Sequence, residues 1–213
     1  LHDALPFASF YKEIISLMSF AAKRKEWGFM RKLSERHRPN RQETLQLLTT
    51  NVERLQRYYR LQNTLLCHFH EYEQAHRYCR SLVIAGLVAQ EESRVKAEAV
   101  AYDEETHLLK LDNEPLDLGF ATERDLRSYA STALRAALFE EAARAYQTLF
   151  ESTGDNHYRW YHALALMNMG RVEETLSLLY PLDMEEVNIP VKRTIAWALL
   201  LRRKPDQAER YYE

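Results

Sequence analysis

Apolar residues recur at spacings of three and four along most of this chain, which is the period of an amphipathic α-helix. Toward the C-terminus the pattern also repeats itself. Ala130, Ala163 and Ala196 are spaced 33 residues apart. The same spacing relates further sets of positions: Ala133, Leu166 and Leu199; Leu134, Met167 and Leu200; Phe139, Val172 and Pro205; Ala142, Thr175 and Ala208. A period of this length is typical of stacked helical hairpins.

Each repeat is predicted to contain two short helices joined by a turn near Ala137, Gly170 or Arg203. Small residues at matching positions let the two helices approach closely, and larger apolar residues fill the space between them. Such a hairpin cannot bury its apolar faces alone and has to stack on its neighbours. The predicted repeats are residues 123–155, 156–188 and a truncated 189–213.

Three residues indicate where helices begin or end. Thr122 precedes an acidic segment and is predicted to cap the helix that follows it. Pro190 suits a first helical turn, because its missing N–H is not needed there. Pro181 is predicted to end the helix that contains Leu176 and Leu179.

The segment Leu138-Phe139-Glu140-Glu141-Ala142, with Gly170-Arg171-Val172-Glu173-Glu174-Thr175 as a second copy, resembles the tetratricopeptide repeat (TPR) over about residues 123–213. The resemblance implies an all-α fold, a right-handed α–α superhelix of TPR-like helical hairpins. Two departures from the family pattern are that alanine replaces the first-helix glycine and that only Gly170 retains the turn glycine.

Residues 1–122 are predicted to form a helical region with degenerate TPR-like units, continuous with the repeats in one solenoid. His70-Glu71-Tyr72-Glu73-Gln74-Ala75 resembles another second-helix opening. Apolar spacing predicts one long amphipathic helix from about 42 to 69 and two helices within residues 1–39, ending before Pro39.

Residues 90–111 are predicted to be helical, because they are rich in Glu and Ala. The alternative is a turn at 102–106 followed by a strand, which would make residues 96–118 a β-hairpin. Residues 112–121 are a predicted loop in either case.

Charge and cysteine content narrow the class of protein. The net charge is −2, yet residues 1–60 carry 12 Lys and Arg against 6 Asp and Glu, so the two ends should differ electrostatically. Two cysteines are too few for a disulfide framework, which favours a reduced, cytoplasmic setting. The longest early apolar stretch is about half of a bilayer span. Because the chain begins at Leu1 and ends within a predicted helix, we expect a fragment of a longer protein.

No motif in the sequence predicts catalysis, a metal or a cofactor. Cys67, His68, His70, His76 and Cys79 cluster, but their spacing matches no usual zinc pattern, and Cys79 is expected in the core. The paired glutamates of the repeats open second helices, where they complement the helix dipole. A serine elbow, a phosphate loop, HExxH and a dinucleotide fingerprint are all missing.

A basic run from Lys23 to Arg41 has Trp27 and Phe29 interleaved, so binding to nucleic acid or another anionic surface is a hypothesis. The run also contains Glu26 and Glu35 and the whole chain is not basic. A solvated helix face is the preferred interpretation, and nucleic acid is disfavoured as a partner.

The TPR resemblance implies that the first helix of each repeat lines a concave groove and that its exposed residues hold a partner. The register transfers this role to Arg127, Ser131, Leu134, Arg135, Trp160, Leu164, Met167, Asn168, Arg193, Trp197 and Leu200. Aromatic and arginine side chains are common binding hot spots. The alternative for both tryptophans is packing between repeats. The Lys/Asn/Arg arrangement by which some relatives clamp a C-terminal carboxylate does not map cleanly onto this chain.

The leading hypothesis is therefore a non-enzymatic protein–protein interaction module that binds a peptide or helix of a partner protein in its concave groove. The alternative is a regulatory or self-association segment of a larger signalling or transcription protein. A homodimer is one form of this alternative, because a truncated last repeat is expected to expose Leu199, Leu201 and Tyr211.

Overall fold

The computed structural model of the chain describes residues 7–38, 40–90, 95–111, 115–183 and 189–211. Eleven α-helices and one two-stranded antiparallel sheet lie within these ranges. The predicted all-α class, built of helical hairpins, is confirmed. None of these helices is long and apolar enough to cross a bilayer. Contacts divide the chain into an N-terminal unit, up to Thr132, and a C-terminal unit, from Ala133.

The N-terminal unit begins with five helices: α1 (Phe7–Lys23), α2 (Trp27–Arg36), α3 (Arg41–Thr50), α4 (Val52–His68) and α5 (Tyr72–Ala89). The two helices predicted before Pro39 are confirmed. The predicted single helix from 42 to 69 is wrong, because Asn51 separates α3 from α4. Asn51 leaves the helical conformation, its N–H donates to the Leu47 carbonyl at 2.8 Å, and its side chain accepts from the Arg54 N–H at 3.1 Å. Asparagine is a strong N-cap, so one residue ends α3 and starts α4.

Within the described residues 95–111, the predicted helix is wrong, and the alternative β-hairpin is confirmed over residues 100–111. Strand β1 (Val100–Asp103) pairs with β2 (Leu108–Leu111). The Asp103 carboxylate accepts from the Glu105 N–H at 2.9 Å and from the Thr106 N–H at 3.3 Å, which closes the turn. On the open side of β2, the Leu109 N–H donates to the Ser81 hydroxyl of α5 at 3.1 Å.

The last helix of this unit is α6 (Glu123–Arg135). The division between the two units falls inside it, after Thr132. Contacts with α4 and α5 tie its first part to the unit. Arg60 of α4 forms a bidentate ion pair with Asp125, with both N–O distances 2.8 Å. The ring centroids of His76 and Tyr129 lie 4.5 Å apart. The predicted capping role of Thr122 is confirmed, since its hydroxyl accepts from the Asp125 N–H at 3.3 Å.

The C-terminal unit consists of the end of α6 with α7 (Phe139–Thr153), α8 (Asn156–Asn168), α9 (Val172–Asp183), α10 (Ile189–Leu201) and α11 (Pro205–Glu209). The three predicted turns are confirmed. Ala137, Gly170 and Arg203 all have positive φ, at 59°, 77° and 57°. Only glycine adopts this conformation without a steric penalty, so the other two turns are maintained by the packing of the helices around them.

Two prolines of this unit, Pro181 and Pro190, were predicted to mark helix boundaries, and the two predictions had different outcomes. Pro190 is the second residue of α10, as predicted. Pro181 was predicted to end α9 but lies inside its last turn, and the helix continues to Asp183. Leu182 is 4% exposed and belongs to the apolar core of the unit. Burial of Leu182 explains why the helix continues after a proline that cannot donate a backbone hydrogen bond.

The core of the C-terminal unit lies where α8, α9, α10 and α11 meet. Its buried residues come from every one of these helices and include Ala163, Leu176, Leu179, Ile195, Leu199 and Ala208. Small residues from the repeat register, such as Ala163 and Ala196, are fully buried at these contacts. The first helices of two successive hairpins, α8 and α10, therefore have fixed positions in the unit.

Candidate functional site

Seven of the predicted groove residues lie on α8 and α10 of the C-terminal unit; six of them make up the surface defined here, and Asn168 is the seventh. Those on α8 are spaced one helical turn apart, and those on α10 follow the same spacing, so each set occupies one helix face. We call this surface the tryptophan face; it consists of Trp160, Leu164 and Met167 of α8 with Arg193, Trp197 and Leu200 of α10. Each of the three α8 residues is 33 residues before its counterpart on α10: Trp160 before Arg193, Leu164 before Trp197, and Met167 before Leu200.

Trp160 packs between the two hairpins. Its side chain is half-buried against the core of the unit. The indole N–H donates to the Thr194 hydroxyl of α10 at 3.1 Å, and that hydroxyl donates to the Pro190 carbonyl at 2.8 Å. Packing between repeats, the alternative that the sequence left open, therefore holds for Trp160. Trp160 therefore forms part of the floor of the tryptophan face, by which we mean the half-buried side chains of this face that pack against the core.

Trp197 has the opposite environment. It is 60% exposed, the largest exposed fraction of the large apolar side chains within the described residues. Leu200, one turn further along α10, is 47% exposed, and Arg193, one turn earlier, is also exposed. The opposite side of the same helix, with Ile195 and Leu199, is buried. α10 therefore presents a stripe of one cation and two apolar side chains.

The remaining α8 residues support this stripe. Met167 is half-buried and packs against the core, and Leu164 is half-buried as well. Asn168 is exposed, but its side-chain amide donates to the Leu164 carbonyl at 2.8 Å. The α8 side of the tryptophan face is thus held in place by contacts within the unit.

Four predicted groove residues lie on α6, outside the tryptophan face. Arg127 and Ser131 belong to the N-terminal unit, and Arg127 pairs with Glu123 at 2.7 Å. Leu134 and Arg135 belong to the C-terminal unit, where Leu134 is half-buried and Arg135 is exposed.

An aromatic cluster beside Trp160 was missed by sequence reasoning. The Tyr161 ring stacks on Tyr146 of α7 with centroids 4.9 Å apart, and the Trp160 ring lies 4.6 Å from Tyr161. His157 meets the Tyr161 ring edge-on at 4.8 Å. Burial raises the pKa of Tyr146 above its ordinary value, so its hydroxyl stays protonated. The sequence feature that could have indicated this cluster is the position of His157, one helical turn before Trp160.

Leu201 was also left out of the predicted groove, although it is 54% exposed and lies one turn after Trp197. The expectation that Leu199 would be exposed is wrong, since Leu199 is 2% exposed. Leu199 points into the core, while the next two residues, Leu200 and Leu201, are exposed to solvent.

A concavity of the C-terminal unit, about 420 Å³ in volume, lies between α7, α8 and α9, away from the tryptophan face. Its charged lining is largely self-compensated. Arg171 donates to both oxygens of Glu174, at 2.6 and 2.5 Å. Burial, together with the nearby charge of Arg171, lowers the pKa of His162. Because these charges already satisfy each other, this cleft is a weaker candidate for binding than the tryptophan face.

The cysteine and histidine cluster of the N-terminal unit is dispersed among other contacts. Cys79 is buried, as expected, and burial raises the pKa of its thiol to about 12. His68 stacks on Trp27 with centroids 4.6 Å apart, and His70 lies 2.7 Å from the Tyr72 hydroxyl. The part of the chain that the structure describes contains no group of three or more His, Cys, Asp or Glu residues placed to bind a metal ion.

The basic run of the N-terminal unit is partly neutralised by ion pairs. Arg24 pairs with Glu26 at 3.2 Å, and Arg31 contacts Glu35 at 3.3 Å and Glu71 at 2.9 Å. These exposed pairs weaken the run as a continuous anion-binding surface.

Solved structures of MamA, a TPR-like helical repeat protein, share this fold. MamA 41-end from Desulfovibrio magneticus RS-1 superposes with a TM-score of 0.59 and 10% identity, covering 98% of this chain and 92% of that chain. MamA MSR-1 C2 has a TM-score of 0.57 and 13% identity, covering 96% and 91%. At such low identity the likeness shows the fold alone. No protein-family profile and no curated protein matches the sequence.

Proposed function

We propose that this chain is a protein–protein interaction module that binds a peptide or helix of a partner protein on the tryptophan face. A TPR-like fold is typically a non-enzymatic scaffold for protein partners. The observation that carries the proposal is the exposed row of Arg193, Trp197 and Leu200 on α10. Tryptophan and arginine are the residue types most enriched among binding hot spots.

Binding would proceed by preformed complementarity, with no covalent chemistry. The half-buried Trp160 and Met167 form a fixed floor, so little conformational freedom is lost there on binding. Trp197 and Leu200 leave water when a partner covers them, and each Å² of apolar surface buried contributes roughly 25 cal/mol. Arg193 adds a directional donor at one end of the row.

Capture of partner proteins by the immobilised chain tests this function. We expect Trp197→Ala to reduce capture at least several-fold, because it removes the central exposed anchor. Tyr180→Ala is the matched control, since Tyr180 is an aromatic residue, 42% exposed, on α9 outside the face. It should capture the same proteins as the unmodified chain. Equal capture by the Trp197→Ala variant would refute the assignment of this face.

Self-association is a second candidate, favoured by Leu201, which is 54% exposed beside Leu200. In this alternative, α10 of one copy covers α10 of another as part of a regulatory segment in a larger protein. Sedimentation over a range of concentrations distinguishes the candidates. A concentration-dependent dimer that Leu201→Gln abolishes supports self-association, and a monomer at every concentration rules it out for this chain.

A further inference from the structure

A groove in the N-terminal unit, lined by α1, α4 and the first turn of α6, has a chemistry different from that of the tryptophan face. Its volume is about 610 Å³. Among the described residues, its lining contains four cations and one carboxylate, that of Glu53. We call it the basic groove; its cations are Lys23, Arg57, Arg60 and Arg124.

Two of the arginines are held in place by neighbouring side chains. Arg60 forms the bidentate ion pair with Asp125, whose side chain is only 5% exposed. Arg57 donates from Nη2 to the Ser19 hydroxyl at 3.0 Å. The Asp125 carboxylate offsets the charge of Arg60, so the cationic character of the groove comes from the other three side chains.

Lys23, Arg57 and Arg124 are exposed, and none of them forms an ion pair with any residue that the structure describes. The position of Arg124 is informative, because it lies in the first turn of α6, where a positive charge opposes the helix dipole. Helix stability therefore does not account for an arginine there. Three cations around a concave surface with a single carboxylate produce a local positive potential.

We propose that the basic groove binds an acidic peptide segment of a partner protein, at a site separate from the tryptophan face. Guanidinium groups match the planar geometry of Asp and Glu carboxylates and bind them through paired hydrogen bonds. The observations favour a peptide over nucleic acid for two reasons. The lining residues that the structure describes include no aromatic ring on which a base could stack, and the whole chain carries a net charge of −2.

Fluorescence anisotropy of the full chain with three labelled probes tests the proposal. The probes are a short Glu-rich peptide, the same peptide with every Glu replaced by Gln, and a single-stranded DNA oligonucleotide of equal charge. The Glu peptide should bind tightest, and the Gln peptide should bind at least about tenfold more weakly, a difference of about 1.4 kcal/mol. Binding of the Glu peptide should weaken with added salt, because ions screen exposed charges.

Two triple variants with the same change in charge locate the site. Lys23→Gln, Arg57→Gln and Arg124→Gln together should weaken binding of the Glu peptide about tenfold. Lys12→Gln, Lys32→Gln and Arg36→Gln, all exposed and outside the groove, should change it less than about twofold. Circular dichroism melting shows whether both variants fold. An equal loss in the two variants, equal binding of the Glu and Gln peptides, or tighter binding of DNA than of the Glu peptide would each overturn the proposal.

Discussion

The tryptophan face and the basic groove are both built from α-helices, but their side chains are held in different ways. On the tryptophan face, α8 supplies side chains fixed by the core and α10 supplies exposed ones, with apolar residues predominating. In the basic groove, most of the side chains are polar, and an ion pair with the buried Asp125 fixes Arg60. The helices thus determine the positions of the side chains, while contacts with neighbouring residues determine which side chains remain exposed to a ligand.

The largest expected effect concerns the ion pair beside the basic groove. Arg60→Ala leaves the Asp125 carboxylate buried without its partner, so the free energy of unfolding should fall by about 3 kcal/mol. This is the lower end of the usual range, because the Arg60 side chain is 29% exposed. Urea denaturation measures the effect, with the exposed Arg36→Ala as a control expected to change stability by less than about 0.5 kcal/mol. A loss of similar size in both variants would show that the pair does not stabilise the unit.

The next largest effect is a difference in stability between variants of the two tryptophans of the tryptophan face. Trp160→Ala should lower the free energy of unfolding by about 2 kcal/mol, since it removes a half-buried ring and the hydrogen bond to Thr194. Trp197→Ala should cost less than about 0.5 kcal/mol, because the ring is largely in water. Thermal or urea denaturation of both variants checks this order. Equal losses would mean that Trp160 is not a structural floor.

The smallest expected effect is a pH dependence of stability that arises in the C-terminal unit. Burial and Arg171 lower the pKa of His162, so the unfolded chain takes up this proton before the folded chain does. The free energy of unfolding should therefore fall as pH drops through the ordinary histidine pKa of about 6.5, and should level off below the lowered value. In a His162→Gln variant, urea denaturation over the same pH range should give a shallower slope. An unchanged slope would assign the dependence to other groups.

The 33-residue register carried most of the correct predictions. It located the turns at Ala137, Gly170 and Arg203, although only one of these residues favours the left-handed conformation. The same register predicted that Trp160 and Trp197 share a face, which stays a prediction, and it did not predict which of the two would be exposed. That difference depends on Thr194, which lies 34 residues after Trp160 and accepts the indole hydrogen bond.

The failed predictions have physical causes that helical spacing alone does not reveal. Leu48, Val52 and Leu55 continue the helical spacing across Asn51, so periodicity alone cannot detect a cap that ends one helix and starts the next. The short apolar segment Leu108–Leu111 is equally compatible with helix and strand until the turn at Asp103 is recognised. The basic groove was not predicted, because its cations come from helices far apart in sequence.

Site-specific photo-cross-linking tests the central claim most directly. A photoreactive phenylalanine analogue is placed at position 197 of the tryptophan face or, as the control, at the exposed position 177 on α9. If the tryptophan face binds a partner protein, the analogue at 197 should cross-link to that partner, and the analogue at 177 should not. Cross-linking of the same partner from 177, with none from 197, would contradict the proposed function.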